Sequence, residues 1–189
     1  MRSLLALPLL ALSFAACGDD GPRTAQSRDV APFTKLVNDT SVDVRLHVGG
    51  EPQPLRVRAG ENVIDDVRTE VRDGTLHIAF DHDGWGGDDV QVEAWTPTLD
   101  AITVDGSGNV EARGSTPRLQ VVSDGSGDAK LADLEADAAK VNADGSGNVE
   151  VRAADTLDVS LDGSGDVRYH GEPRLTQHDD GSGEVERAH

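Results

Sequence analysis

One tetrapeptide, recurring on a near-constant interval, constrains the fold of this chain more than any other feature. Asp-Gly-Ser-Gly begins at Asp105, Asp124, Asp144, Asp162 and Asp180, so the copies lie 19, 20, 18 and 18 residues apart. Each copy is followed by Asn or an acid (Asn109, Asp128, Asn148, Asp166, Glu184) and then by Val110, Ala129, Val149, Val167 and Val185. Three residues ahead of each Asp stand Ile102, Val121, Val141, Val159 and Gln177; two beyond the Val110 column stand Ala112, Leu131, Val151, Tyr169 and Arg187. Apolar positions therefore alternate on both sides of the Gly-Ser-Gly turn, the period-two pattern of strands that bury one face.

A unit this short cannot bury its own apolar face and has to stack on its neighbours. At roughly 3.3 Å per residue it closes one coil, and successive coils lie roughly 4.8 Å apart. The predicted fold is all-β: a single-stranded β-solenoid, β-helix-like, with coils of about 18–20 residues, irregular N-terminal strands and a polar C-terminal cap. The alternative is a set of antiparallel hairpins turning at Gly-Ser-Gly. Hairpins favour two-residue primed turns, and the near-constant interval favours coils. Stacking would pile Val on Val inside and set Ser107, Ser126, Ser146, Ser164 and Ser182 in a row outside. Both glycines of each turn would permit positive φ and close approach of the next coil. In the last unit Gln177, His178, Asp179 and Arg187 stand where earlier units carry Val, Ser, Leu and Tyr, as expected of a cap that stops edge-to-edge growth. Leu131, Leu134, Ala138 and Val141 also fit helical spacing; the stretch is read as strand with an inserted bulge.

Before Asp105 the pattern is looser. Val42, Val44, Leu46 and Val48 alternate into Gly49-Gly50; Leu55, Val57, Val63 and Val67 continue the apolar positions; Asp73-Gly74 precedes Leu76, Ile78 and Phe80. A degenerate turn, Asp83-Gly84-Trp85-Gly86-Gly87, follows. Residues 30–98 are read as irregular strands and early coils of the same body.

The N-terminus carries an address. Arg2 precedes an apolar run from Leu4 to Phe14, too short to span a bilayer, and small residues lead into Cys17. The order Phe14-Ala15-Ala16-Cys17 resembles the lipobox of bacterial lipoproteins, which implies acylation (palmitate) of Cys17 and a membrane contact through that lipid only. Phe14 stands where Leu is usual. Cys17 is the sole cysteine, so no intramolecular disulfide can form. The expected organisation is a signal peptide over 1–17, a flexible tether over 18–29 and one domain over 30–189. The expected location is the bacterial cell envelope, on the outer membrane or a periplasm-facing membrane. Acids outnumber Lys plus Arg by 35 to 17, a net charge of −18 that repels nucleic acid and anionic headgroups. Partners left open are cations, basic surfaces, and an envelope glycan or protein.

The alternation Ser41-Val42-Asp43-Val44, the turn Asp73-Gly74-Thr75-Leu76 into a strand, and the serial Gly-Ser-Gly-Asn/Asp-Val together resemble a bacterial family, the putative auto-transporter adhesin, head GIN domain. The resemblance covers roughly residues 31–187. It implies a β-solenoid-like fold on exported or lipid-anchored envelope proteins, with no established enzymatic activity. This chain departs from the pattern at Ala129, where Val is usual, and in its polar last unit.

Two readings of the Asp column compete. In the local one, each Asp caps the amides of its own Gly-Ser-Gly turn, with serine hydroxyls as donors. In the functional one, Ca²⁺ sits between coils on Asp105, Asp124, Asp144, Asp162 and Asp180, helped by Asn109, Asp128, Asn148 and Asp166. Carboxylates one coil apart repel by roughly 0.9 kcal/mol in water, so something has to offset the column. The local reading is favoured, because calcium-binding nonapeptide repeats place their Asp differently and more often. Asp81-His82-Asp83-Gly84 starts like an EF-hand loop but has Trp85 at the fifth position and Val92 at the twelfth, so a solvated acidic turn is expected. Gly-Ser-Gly is not the Gly-x-Ser-x-Gly of a nucleophile elbow, and five equivalent serines cannot be one active site. The six histidines show no metal-binding spacing. The expectation is a non-enzymatic, adhesin-like or structural module without a cofactor; the alternative is a Ca²⁺-stabilised solenoid that binds or cleaves polysaccharide.

Overall fold

The computed structural model describes residues 21–80 and 90–188. The described residues form no helix and fourteen strands. These are β1 (Arg23–Arg28), β2 (Lys35–Asn38), β3 (Asp43–Val48), β4 (Leu55–Gly60), β5 (Val67–Arg72), β6 (Thr75–Phe80) and β7 (Gln91–Thr96), then β8 (Ala101–Val104), β9 (Val110–Ser123), β10 (Ala129–Ala143), β11 (Val149–Leu161), β12 (Val167–His170), β13 (Arg174–Asp179) and β14 (Val185–Arg187). All belong to one continuously hydrogen-bonded sheet.

From Ala101 onward the repeat sets the architecture. The second half of β9 lies parallel to β8, with Ile102 opposite Val121. The same column continues through parallel pairs as Val121–Val141, Val141–Val159 and Val159–Gln177. On the far side of each corner Val110, Ala129, Val149, Val167 and Val185 form a second parallel column. Long strands β9, β10 and β11 therefore bend midway, each running along one wall of the body and back along the other. Parallel pairing excludes hairpins at the Gly-Ser-Gly corners. Between the walls Leu36, Ile102, Val121, Val141 and Val159 meet Val44, Val110, Ala129, Val149 and Val167, all at most 1% exposed. Small β-branched side chains fill this slot, which is why a chain with 3% aromatic residues can have a continuous core.

The glycines serve closeness rather than handedness. None of the corner glycines has positive φ, contrary to the sequence expectation. A Cβ on Gly125 would instead lie 2.1 Å from the Gly106 carbonyl oxygen, and one on Gly127 would lie 2.2 Å from that of Gly108. Positive φ is found at Asp73 and Gly74 (50° and 74°), the two-residue turn joining antiparallel β5 and β6. It recurs at Gly114 and Gly171, in the bends opposite the corners. The ambiguous stretch around Leu134 is strand: β10 shifts register between Lys130 and Asp133 against β9 and between Leu131 and Glu135 against β11.

Space and sequence part company before Ala101. β2 lies between β6 and β8, and β3 between β7 and β9, all parallel, so the layer of residues 35–48 is slotted between two later ones. Antiparallel strands finish this end, with β4 on β7, β1 on β4 and β5 on β6. The tether expected over 18–29 is corrected here, because Arg23–Arg28 is strand β1. Its Arg28 guanidinium donates to the carbonyls of Ile64 (2.8 Å) and Val67. Arg-Thr-Ala-Gln-Ser-Arg has no apolar alternation, so backbone pairing and polar side-chain contacts such as this one and Gln26 to Asp65 (2.7 Å) hold it, not core burial.

Gly127→Ala is expected to cost about 1–3 kcal/mol or more by forcing the layers apart, and Leu131→Ala about 2–5 kcal/mol by opening a cavity. Ser126→Ala, at an exposed corner position, should stay within about 0.5 kcal/mol. Urea unfolding of the three variants checks the order.

Candidate functional site

The structure brings the repeated polar residues together as columns. The corner amides are taken by the layer before: Ser126, Ser146, Ser164 and Ser182 donate to the carbonyls of Gly106, Gly125, Gly145 and Gly163 at 2.9–3.0 Å. Ser107, Ser126, Ser146, Ser164 and Ser182 are exposed, as are Asp105, Asp124, Asp144, Asp162 and Asp180. The local reading of the Asp column is therefore corrected, since backbone carbonyls occupy the amides that the aspartates were expected to cap.

Capping is done four residues further on. Asp43 Oδ1 accepts from the Asn109 amide, Asn109 Oδ1 from Asp128, Asp128 Oδ1 from Asn148, Asn148 Oδ1 from Asp166, and Asp166 Oδ1 from Glu184, each at 2.9–3.0 Å. From Asp43 to Asp166 every other member is an amide, so the column satisfies one backbone donor per layer while only its last step, Asp166 to Glu184, sets an acid beside an acid. These are the oxygens expected to assist calcium, and each is engaged. Among the described residues no group of three or more His, Cys, Asp or Glu side chains is arranged to hold a metal ion. The EF-hand-like Asp81-His82-Asp83-Gly84 and the turn at 83–87 lie outside the described residues, as does Cys17.

The Asp column has no such relief at its centre. Desolvation first, then the charges of Asp144 and Asp105, raise the Asp124 carboxyl above its ordinary value. At the column's end Asp180 pairs with His178 at 2.9 Å.

The outward side of the second wall carries a ladder that sequence reading missed. Residues directly opposite one another across successive strands are Arg56, Glu93, Arg45, Glu111, Lys130, Glu150, Arg168 and Glu186, with the sign of charge alternating throughout. Arg45 pairs with Glu111 at 3.0 Å, Arg56 with Glu93 at 3.9 Å, and Arg168 with Glu186. The signal was present, because Glu111, Lys130, Glu150, Arg168 and Glu186 each stand six residues after a corner Asp. Also unread was a further corner: Asp39-Thr40-Ser41-Val42 lies under Asp105–Gly108, with Asp105 and Gly108 donating to the carbonyls of Asn38 and Thr40. Its Asn38 is fully buried, donating to the Val42 carbonyl and accepting from the Thr40 hydroxyl.

Beside the ladder the His47 ring stacks on Trp95 with centroids 4.8 Å apart, and Arg56 lies over Trp95 at 5.2 Å. Arg113 Nε donates to His47 Nδ1 at 2.7 Å, which leaves the Nε2 proton for Glu93 at 2.9 Å. The His47 ring and the Arg56 guanidinium thus both lie against the indole. A shallow depression of about 490 Å³ runs over Arg45, Glu111, Lys130 and Glu150.

Among the described residues the polar groups repeat layer by layer, which defines an all-β class of protein that presents arrayed surfaces. The chain belongs to the putative auto-transporter adhesin, head GIN domain family, whose model matches residues 32–112 and 101–173. A putative adhesin from Bacteroides fragilis shares the fold at 17% identity and TM-score 0.54, over 88% of this chain and 97% of that one. A putative adhesin from Parabacteroides distasonis matches at 22% identity and TM-score 0.48, over 89% and 98%. No curated protein matches the chain. Membership points to an adhesin-like protein of the bacterial surface or envelope.

Asp124→Asn is expected to raise the melting temperature at pH 7. A carboxyl whose folded pKa is raised destabilises the fold above that pKa and ceases to do so below its unfolded value, near 3.8. The gain should therefore shrink as pH falls through the window between the two, and thermal melts of both proteins from pH 7 to pH 3 check it.

Proposed function

We propose that this chain is a β-solenoid anchored in the bacterial envelope by a lipid on Cys17, working without catalysis through its repeated faces on an envelope glycan or protein. The observation that carries the reading is the multiplicity of every candidate polar group. A catalytic site needs unlike groups converging on one reacting atom, whereas here like groups recur at each layer in columns. Family membership supports the same role.

The corrected start of the domain sharpens the geometry. Between Cys17 and strand β1 at Arg23 only residues 18–22 remain, a reach of at most about 22 Å when fully extended. β1 is an outermost strand of the stack, so the β1 end sits close to the membrane and the polar β13–β14 layer is the distal end. A strongly acidic body held this near anionic lipid is repelled from it, which keeps the walls of the stack free to meet a partner.

In a bacterial host, metabolic labelling with a palmitate analogue is expected to mark the wild-type chain and not Cys17→Ser, and the variant should leave the membrane fraction for the soluble one. Unchanged labelling and partition of Cys17→Ser would sink the anchor.

A further inference from the structure

We infer that the ladder face binds a second copy of this chain, face to face and antiparallel, about a two-fold axis running along the strands between β9 and β10. The ladder holds eight charges in the order plus, minus, repeated from Arg56 to Glu186. An alternating series with an even number of members has a special property: reversing it exchanges plus for minus at every position. The axis therefore sets Arg56 against Glu186 of the second copy, Glu93 against Arg168, Arg45 against Glu150 and Glu111 against Lys130. All contacts are complementary, as an isologous interface requires.

A second column obeys the same operation independently. Alongside the ladder run Arg58, Gln91, Asp43, Asn109, Asp128, Asn148, Asp166 and Glu184. Reversal sets Arg58 against Glu184, Gln91 against Asp166, Asp43 against Asn148 and Asn109 against Asp128, so every acid faces a cation or an amide and none faces an acid. Alternation that served only to relieve repulsion within one chain would not need both columns to close on the same axis.

Lys130 adds a third observation. It is exposed, one rung from the axis, and among the described residues its ammonium engages in none of the ion pairs or hydrogen bonds that occupy Arg45, Arg56, Arg113, Arg152 and Arg168. Glu111 of the second copy supplies the missing partner, and the depression over Arg45, Glu111, Lys130 and Glu150 leaves room for the facing side chains. Eight rungs span about 34 Å, and four to six residues of strand about 13–20 Å. The two copies together would bury roughly 1,000 Å², the lower limit for a specific pair, so the association is weak, reversible and salt-sensitive.

The antiparallel arrangement sends the two β1 ends in opposite directions. For chains anchored as proposed above, and resting on that reading, paired copies stand on facing membranes, which makes contact between cells homophilic. The pairing itself requires no anchor and is tested apart from it.

The test is sedimentation of the full chain carrying Cys17→Ser, in detergent because Leu4–Phe14 is apolar. A monomer–dimer equilibrium is expected at low salt, weakening at least tenfold between about 50 and 500 mM salt. Glu111→Lys puts like charge on both sides of the axis, as does Lys130→Glu, and each alone should weaken the dimer at least tenfold. An equimolar mixture of the two variants restores complementarity at both central contacts and should recover the wild-type dimer, a result that loss of folding cannot imitate. Spin labels at Ala132→Cys should then lie within about 15 Å of each other in the dimer, and labels at Ala188→Cys beyond about 30 Å. A chain that stays monomeric near 1 mM at low salt overturns the proposal, as do a mixture no tighter than its components and equal distances for the two labels.

Discussion

At every corner the amide of one layer meets the carbonyl of the layer before it at 2.9–3.0 Å, and the core, the columns and the faces all depend on that contact. Backbone can come this near backbone only where no Cβ intervenes. The two glycines of Asp-Gly-Ser-Gly therefore act as spacers of minimal thickness, and their φ values are ordinary. Once the corners stack at hydrogen-bond distance, the strands leaving them have no freedom of register. Ile102, Val121, Val141 and Val159 then fall into one column and Val110, Ala129, Val149 and Val167 into another. The hydrophobic effect supplies the drive, but the corners decide which apolar residue meets which.

In-register stacking has an electrostatic cost, because it sets like residues over like. A repeat of identical units would build unbroken rows of one charge. This chain avoids that in two of its outer columns by alternating from layer to layer: cation with acid from Arg56 to Glu186, and Asp with Asn from Asp43 to Asp166. The corner aspartates do not alternate, and the strain shows in the Asp124 carboxyl, held above its ordinary value by desolvation and by its two neighbours. Exposure to water keeps the penalty bearable at that row, since screening in solvent reduces the repulsion between neighbouring layers.

Much of this was legible in the residues. The interval between copies of Asp-Gly-Ser-Gly gave the layer length, and the apolar columns flanking it were read to the residue, including their loss at Gln177 and Arg187. What escaped lay beyond the reach of a local pattern. Asp39-Thr40-Ser41-Val42 is a corner without either glycine, recognisable only once Val44 is seen opposite Val110. Strand β1 has no buried stripe to announce it and exists because β4 offers an open edge. The role of Asn109 and its counterparts depends on which amide lies above them, and that follows from the stacking of layers 18–20 residues apart, not from neighbours in sequence. The charge ladder was a different kind of omission: its six-residue offset from each Asp is plain in the sequence, but its meaning requires knowing that those residues share a face.

The two ends of the stack are finished in unlike ways, and that asymmetry bears on where contacts with other molecules can occur. At one end β1, β4 and the β5–β6 hairpin add antiparallel strands, which cannot continue a parallel stack. At the other, β13 and β14 keep the parallel register yet carry Gln177 and Asp179 where core columns should continue, so their inward side leaves little beyond Leu175 and Val185 for a further layer to cover. An open parallel edge is ordinarily a template for unlimited growth, and polar residues remove the burial that would drive it. With growth along the axis blocked at both ends, the walls are left as the extended surfaces of the molecule. Of these the second wall carries the alternating charges, whose order is set by stacking and whose neutrality in sum distinguishes it from the acidic surface around it.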